Sequence, residues 1–462
     1  MALLAGTVAS PVKVESDGRS PADRVQPSLQ SRHHSVQSKR GLYSLRGRRL
    51  VYCAALLAIV LAANCFSIRS RHRTHVPPCT ARDWAAGSWV EKDPPLRPNS
   101  SVVDVFAASG FEGCAQMWFK PHWYLGSLED VKNMGAYRWN AAQWRWQSDS
   151  DICERGVRLD VHALLYSLVH DGGWFLLGDS LAEQHFFSLA CILYPHVVVR
   201  WGRGTGVNEQ NMYLSKDSPL VATLDLPLDF PLDERPLVTN FRTDHGANKT
   251  ELAAIYAATP ESAIIPAENL FTTYPVLSPP INASFDRFFD PASHYRALIF
   301  STAAHYTPRE FAFPTGWPSI LSYYEAVVRH WSRVAADYLA KDKGGREVIV
   351  RGASSGHSDC HAQMQPYKDS WPTPVSYNWA KIPLMNDIFE EVVGQVHHPR
   401  LSYLPIERPA QLRPDGHTVD CLHYAVGTGV LEGWTAYLDY FLRYRKWSGA
   451  RRKFQLAAFA SP

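Results

Sequence analysis

The segment Trp174-Phe-Leu-Leu-Gly-Asp-Ser-Leu181 restricts the fold more than any other stretch of the 462-residue chain. Four consecutive apolar residues read as a buried strand, Gly178-Asp179-Ser180 reads as a tight turn, and Leu181–Leu193 carries helical apolar spacing. The same alternation continues along the chain. Strand-like runs recur at Val197–Trp201, Leu220–Leu224, Ala297–Ser301, Val348–Arg351 and Ser402–Pro405, and helical periodicity covers Ile320–Leu339 and Val430–Tyr444. Strands alternating with helices predict an α/β fold, a central mainly parallel sheet with helices on both faces. Residues 203–290, rich in Pro, Asp and Asn, give no clear element, and no linker divides the chain after Cys79.

A second feature places the chain. Leu50–Ile68 runs 19 residues without a charge, long enough to cross a bilayer, and nine Lys/Arg precede it. The n-region is too long for an ordinary signal peptide. The expectation is a type II single-pass anchor: a disordered cytosolic tail at 1–49, the anchor at 50–68, a basic stem at 69–78, a luminal domain at 79–445 and a C-terminal tail at 446–462. Three N-x-S/T sequons, at Asn99, Asn248 and Asn282, lie after the anchor, as do Cys79, Cys114, Cys153, Cys191, Cys360 and Cys421. Six cysteines in an oxidising lumen suit three disulfides of undetermined connectivity, and the lack of any C-x-x-C pair argues against a zinc site. Residues 1–75 carry 12 basic and 3 acidic side chains, leaving 35 basic and 41 acidic in the rest. A basic tail on an acidic body excludes a nucleic-acid binder. The 15 Trp and 21 Tyr suit either a large aromatic core or a groove for sugar rings.

Ser180 stands where a strand hands over to a helix, at the end of the sheet where open α/β folds place their sites. The helix-start amides there hold no intrahelical partner and suit an oxyanion. An ordinary helix cap by Asp179 or Ser180 explains the same residues. A nucleophilic serine needs a base and an orienter. Asp420-Cys-Leu-His423 supplies both at a spacing of three, which brings the two side chains to one side of a turn. His417, with Asp415 or Asp420, is a rival base.

Together these motifs resemble the GDSL/SGNH hydrolase superfamily. Gly178-Asp-Ser-Leu-Ala-Glu-Gln-His through Leu193, with the upstream Trp144-Arg-Trp-Gln147 and Cys153, is similar to the first block of the PC-esterase, or trichome-birefringence-like, polysaccharide O-acetyltransferases. Cys79 to Gly87-Ser-Trp-Val90, Leu298–His305, Val350–His357 with Cys360, and Asp420-Cys-Leu-His-Tyr with Trp434 resemble further blocks in order. The sequence departs from the plant pattern at Ser301, at Ser355-Gly356 and at Tyr424-Ala425.

The resemblance implies an SGNH-like three-layer α/β/α domain with irregular additions. It implies Ser180 as nucleophile, His423 as base and Asp420 as orienter. Gly178, Asp179, Arg351, His357 and His305 are candidates for oxyanion or substrate contacts, with structural roles the alternative for Arg351 (a salt bridge) and His305. The expected reaction is Golgi or ER acetyl transfer to a cell-wall-type glycan hydroxyl, without metal or bound cofactor. Acetyl-CoA is cytosolic, so an acetyl donor must be delivered in the lumen, through a multi-span membrane partner or an unknown luminal donor. A luminal acetyl esterase using the same three residues, and a non-catalytic glycan-binding protein, are the competing expectations.

Overall fold

The computed structural model describes residues 78–95, 140–201 and 209–459 except 233, 273–275, 314, 371, 374–375 and 419, and gives the backbone alone for 446–459. All of them belong to one compact unit, Val76–Pro462. The expected tail, anchor and most of the stem lie outside the described residues, as do Asn99 and Cys114. Among the described residues no helix is long and apolar enough to cross a membrane.

The chain opens with α1 (Ala81–Ala85), β1 (Gly87–Glu91), β2 (Trp144–Ser148), α2 (Asp151–Gly156), α3 (Val161–His170), β3 (Gly173–Gly178), α4 (Ser180–Ile192), β4 (Val197–Trp201), β5 (Glu209–Leu214) and β6 (Pro236–Arg242). It continues through α5 (Lys249–Ala257), α6 (Ile281–Phe289), β7 (Tyr295–Ser301), α7 (Trp317–Lys341), β8 (Glu347–Arg351), α8 (Ile382–Val396), β9 (Leu401–Leu404), α9 (Arg408–Gln411) and α10 (Val430–Phe459). Seven strands form one sheet in the order β4-β5-β6-β3-β7-β8-β9. The run from β6 to β9 is parallel, and β4 and β5 extend it as an antiparallel pair.

β3 is buried along its whole length. Its side chains alternate between two cores, as the twofold strand period requires. Trp174 and Leu176 join the cluster formed with α3, α4 and α10, and Phe175 and Leu177 join the one formed with α5, α6, α7 and α8. The chain returns from β3 to β6 on one side and then crosses to β7 on the other, so the strand order reverses at β3. Sites in open α/β sheets lie at such a reversal, beyond the carboxyl ends of the strands. A separate pair, β1 and β2, is antiparallel with Trp89 opposite Trp146. Disulfides join Cys79 to Cys153 and Cys360 to Cys421, and Cys191 is disulfide-bonded as well.

One sequence expectation needs correction. Leu220–Leu224 is not a strand but a 3-10 turn, Pro219–Thr223. Pro219 has no N–H for a ladder, Ser218 Oγ accepts the Leu220 amide at 3.1 Å, and of the expected strand only Leu224 is buried. The unassigned stretch 203–290 contributes β5, β6, α5 and α6. Buried Gln210, Asn211, Thr239 and Asn240 interrupt the apolar runs of its two strands, and these groups hydrogen-bond one another across the sheet. The boundary at 445/446 falls inside α10, which continues to Phe459.

Candidate active site

Gly178 closes β3 against β7. A Cβ there would lie 2.3 Å from the Ser301 carbonyl oxygen, so close packing of the two strands demands glycine. Asp179 is the N-cap of α4. Its side chain accepts the Leu181 amide at 2.9 Å, and its carbonyl accepts the Ala182 and Glu183 amides. Three first-turn amides are thereby committed, and the Ser180 amide is the one not engaged in this way. Ser180 is the first residue of the helix and only 7% exposed.

The opposite wall is built by the loop between α9 and α10. Asp420 folds it locally: one carboxylate oxygen accepts the amides of Leu422 (3.1 Å) and His423 (3.0 Å), and the other meets His423 Nδ1. His423 Nε2 lies 2.6 Å from Ser180 Oγ. Ser180, His423 and Asp420 therefore form one hydrogen-bonded chain. Burial alone would raise the Asp420 pKa, but the hydrogen bond and charge of His423 and the two amides hold it well below the usual carboxylate range. An ionised Asp420 accepts the Nδ1 proton of His423, which fixes the tautomer whose Nε2 lone pair faces the serine hydroxyl.

Several ties hold this loop. Cys421 has φ +60°, a strained value for a non-glycine residue, and its disulfide to Cys360 fixes it there. The His357 amide donates to the Cys421 carbonyl at 2.9 Å, and the Thr418 amide to the His423 carbonyl at 2.6 Å. The side-chain amide of Gln184, on α4, clamps the backbone of Tyr424 twice: Nε2 donates to its carbonyl (3.0 Å) and Oε1 accepts its N–H (2.9 Å). Glu432 gathers the Ser188 hydroxyl of α4 (2.6 Å) and the amides of Gly427 and Gly429. One helix thus carries the candidate nucleophile and, through Gln184 and Ser188, two of the ties to the loop that presents the candidate base.

The remaining expected residues are distributed around this centre. His417 is buried, with Nε2 against His357 Nδ1 at 2.5 Å, while His357 Nε2 donates to the Gln411 carbonyl at 2.7 Å. Burial and the neighbouring His357 push the His417 pKa well below its ordinary value. Asp415 is committed to the buried Arg413. The rival base is therefore a buttress behind His423 and faces no serine. Arg351 is buried at the end of β8, 3.7 Å over the Trp434 ring, with one nitrogen donating to the Gly352 carbonyl. Burial pushes its pKa down to about 10 despite Asp179 and Glu407 nearby. No salt bridge to Arg351 occurs among the described residues. His305 lies beyond β7, bonded to Glu310 at 2.9 Å and 3.6 Å from Asp244. Burial would lower its pKa, but these two carboxylates reverse the shift. Asn248 caps α5, and Asn282 is exposed on α6.

The structure adds residues that the sequence reading did not name. Arg242, at the end of β6, pairs with Asp244 (2.9 Å) and with Glu183 of α4 (3.2 Å). Gln184 stands four residues after Ser180, a helical spacing that places it on the same face, and this was the available signal. His245, His305 and Glu310 bring donor atoms within 4.8 Å of one another, a set able to hold a metal ion. The Glu310 carboxylate already bridges both rings by hydrogen bonds of 2.8 and 2.9 Å, which accounts for the cluster without an ion. A second set, Cys360, His361 and Cys421, has both sulfurs tied up in a disulfide.

Compared with known proteins, the chain matches no family model and no curated protein.

Proposed function

We propose that the protein is an acetyltransferase that works through an acetyl-serine intermediate, with Ser180 as nucleophile, His423 as general base and acid, and Asp420 as orienter. The observation that carries this reading is the Ser180–His423–Asp420 hydrogen-bonded chain at the start of a helix, beyond the carboxyl end of the strand where the sheet order reverses. The arrangement of two cores about one mostly parallel sheet supports an SGNH-like three-layer α/β/α fold.

In the first half-reaction His423 Nε2 takes the Ser180 proton as Oγ bonds to the acetyl carbonyl carbon. The resulting imidazolium is held by the ionised Asp420, and the Ser180 amide faces the oxyanion. Collapse expels the donor's leaving group, which receives the proton from Nε2. In the second half an acceptor hydroxyl attacks the acetyl-serine, His423 removes its proton, and collapse returns that proton to Ser180 Oγ. The acceptor is a glycan hydroxyl, on the strength of the resemblance to polysaccharide O-acetyltransferases. The same resemblance and the apolar segment Leu50–Ile68 support a type II Golgi or ER membrane protein with a luminal domain. Its donor is an activated acetyl group delivered there through a multi-span partner or a luminal donor.

Intact-mass analysis after incubation with a simple acetyl ester tests the reading. One added acetyl, absent in Ser180→Ala and discharged faster by polysaccharide than by water, is the expected result. Discharge by water at an unchanged rate reassigns the protein as an esterase, and an adduct retained in Ser180→Ala overturns the nucleophile.

A further inference from the structure

A cavity of about 360 Å³ lies between the β1–β2 pair and the start of α10, away from the Ser180–His423 pair. Its volume falls in the range of small-molecule sites. One wall is aromatic. Trp144 and Trp146 project from the same face of β2, as residues two apart on a strand do, and Trp84 joins them from α1. Trp146 is fixed: its Nε1 donates to the Trp84 carbonyl at 2.9 Å, and its ring packs on Trp84 and Trp89 at 6.3 and 5.5 Å. The rest of the lining combines glycines with the apolar side chains of Val157, Leu159 and Ala436. Gly427, Gly429 and Gly433 are the glycines, and Gly433 packs directly on Trp84, where a Cβ would come within 3.3 Å of the ring.

The rim is polar and of mixed sign, with Lys92, Arg145 and Glu154. Lys92 is half-buried, its pKa lowered first by burial, and it makes no ion pair among the described residues. Glu432 is not open to a ligand, since Ser188, Gly427 and Gly429 already donate to it. Arg145 pairs with Glu154 at 3.6 Å and donates to Gln147 at 3.0 Å, so an apolar ligand would leave Lys92 desolvated without a partner, and a phosphate would face Glu154. A pyranose suits the aromatic lining and the polar rim together. Its C–H face packs on indole, and its hydroxyls accept from lysine and arginine and donate to a carboxylate.

We infer that this cavity is a secondary carbohydrate-binding site that holds one pyranose of a glycan chain while another part of the chain occupies the Ser180 site. The inference rests on the glycan reading of that site. Glu432, at the cavity, is held by Ser188, eight residues along α4 from Ser180, or about 12 Å at the rise of an α-helix. An oligosaccharide spans that distance and a monosaccharide does not.

The test is calorimetric titration of the full chain with hexasaccharides of xylan, mannan, cellulose and homogalacturonan, in wild type, Ser180→Ala, Trp144→Ala and Lys92→Gln. Thermal melts check that each variant is folded. At least one hexasaccharide is expected to bind wild type and Ser180→Ala equally, and to bind Trp144→Ala and Lys92→Gln about tenfold more weakly. Binding unchanged in both cavity variants, or no binding of any hexasaccharide to wild type, overturns the inference. The two readings fail separately: an inactive protein that still loses glycan binding in Trp144→Ala keeps the cavity, and an active transferase with unchanged binding in Trp144→Ala loses it. Where transfer is measured, Trp144→Ala raises KM for the hexasaccharide and leaves its kcat unchanged.

Discussion

Gln184 is the sharpest place to test whether α4 sets the geometry of the candidate site. Its side chain is fully buried and makes two hydrogen bonds to the backbone of Tyr424, the residue after His423. Gln184→Met keeps length and volume but removes both partners. Each backbone group left buried and unsatisfied costs about 1–3 kcal/mol, so the loss of the two is about 2–6 kcal/mol. For a domain of this size 1 kcal/mol corresponds to roughly 1–2 °C in Tm, which gives a drop of roughly 2–12 °C by scanning fluorimetry. The rate should fall further than stability requires. Tyr424 positions the adjacent imidazole, and a displacement of about 1 Å in a catalytic group costs on the order of a hundredfold. The assay is the rate of acetyl-serine formation by mass spectrometry, at a temperature where circular dichroism shows the variant folded. A wild-type Tm refutes the clamp. A lowered Tm with a wild-type rate refutes its role in positioning His423.

Other expectations follow from the same structure. Ser180→Ala abolishes acetyl transfer with an unchanged melt, since the N-cap bond belongs to Asp179; activity in that variant removes Ser180 from the chemistry. Asp420→Asn keeps the loop amide bonds but frees the tautomer, and should leave a rate lower by roughly 10³–10⁴, read in the same acylation assay. Replacing Cys360 and Cys421 together by serine opens a loop of 61 residues beside Asp420, costing up to about 4 kcal/mol in denaturant titration, and should slow acylation more than replacing Cys79 and Cys153 does. Burial and Glu390 raise the Glu407 pKa from 4.5 to about 7, against the pull of Arg351 and Arg82. The folded state therefore holds the Glu407 proton more tightly than the unfolded one, so the stability contributed by this group is full below pH 4.5 and is lost as pH rises through 7. Melts of Glu407→Gln should show a flatter profile across that window.

The reach of sequence reading differed between elements for physical reasons. β3, β7 and β8 were legible because strands buried on both faces need continuous apolar runs, β4 and β9 because even these half-buried edge strands carry short apolar runs, and the seam from Gly178 to Ser180 because a turn between strand and helix needs those residue types. β5 and β6 were not legible. They neighbour one another near the sheet's edge and satisfy buried Gln210, Asn211, Thr239 and Asn240 by side-chain bonds across the ladder, a pairing visible only once the partner strand is known. Ser180, Asp420 and His423 could be named together because local spacing and position after a strand constrain them. The clamp by Gln184 and the buttress of His357 on His417 link segments 240 and 60 residues apart, and no local pattern marks such a contact.

That long-range buttress explains why the loop places His423 rather than His417 against the serine. The two histidines are six residues apart and joined through the pairing of His417 with Tyr424, and His423 faces Ser180 of α4 while His417 faces His357. His417 sits in the closed pocket where burial and His357 keep it neutral, while Asp420, with its side chain 47% exposed, lies beside His423. A base must gain and lose a proton in each half-reaction, and the imidazolium needs a negative partner at that moment. His423 has one in direct contact and His417 has none. The charge distribution of the loop, more than the spacing of its histidines, thus decides which of them can serve as base.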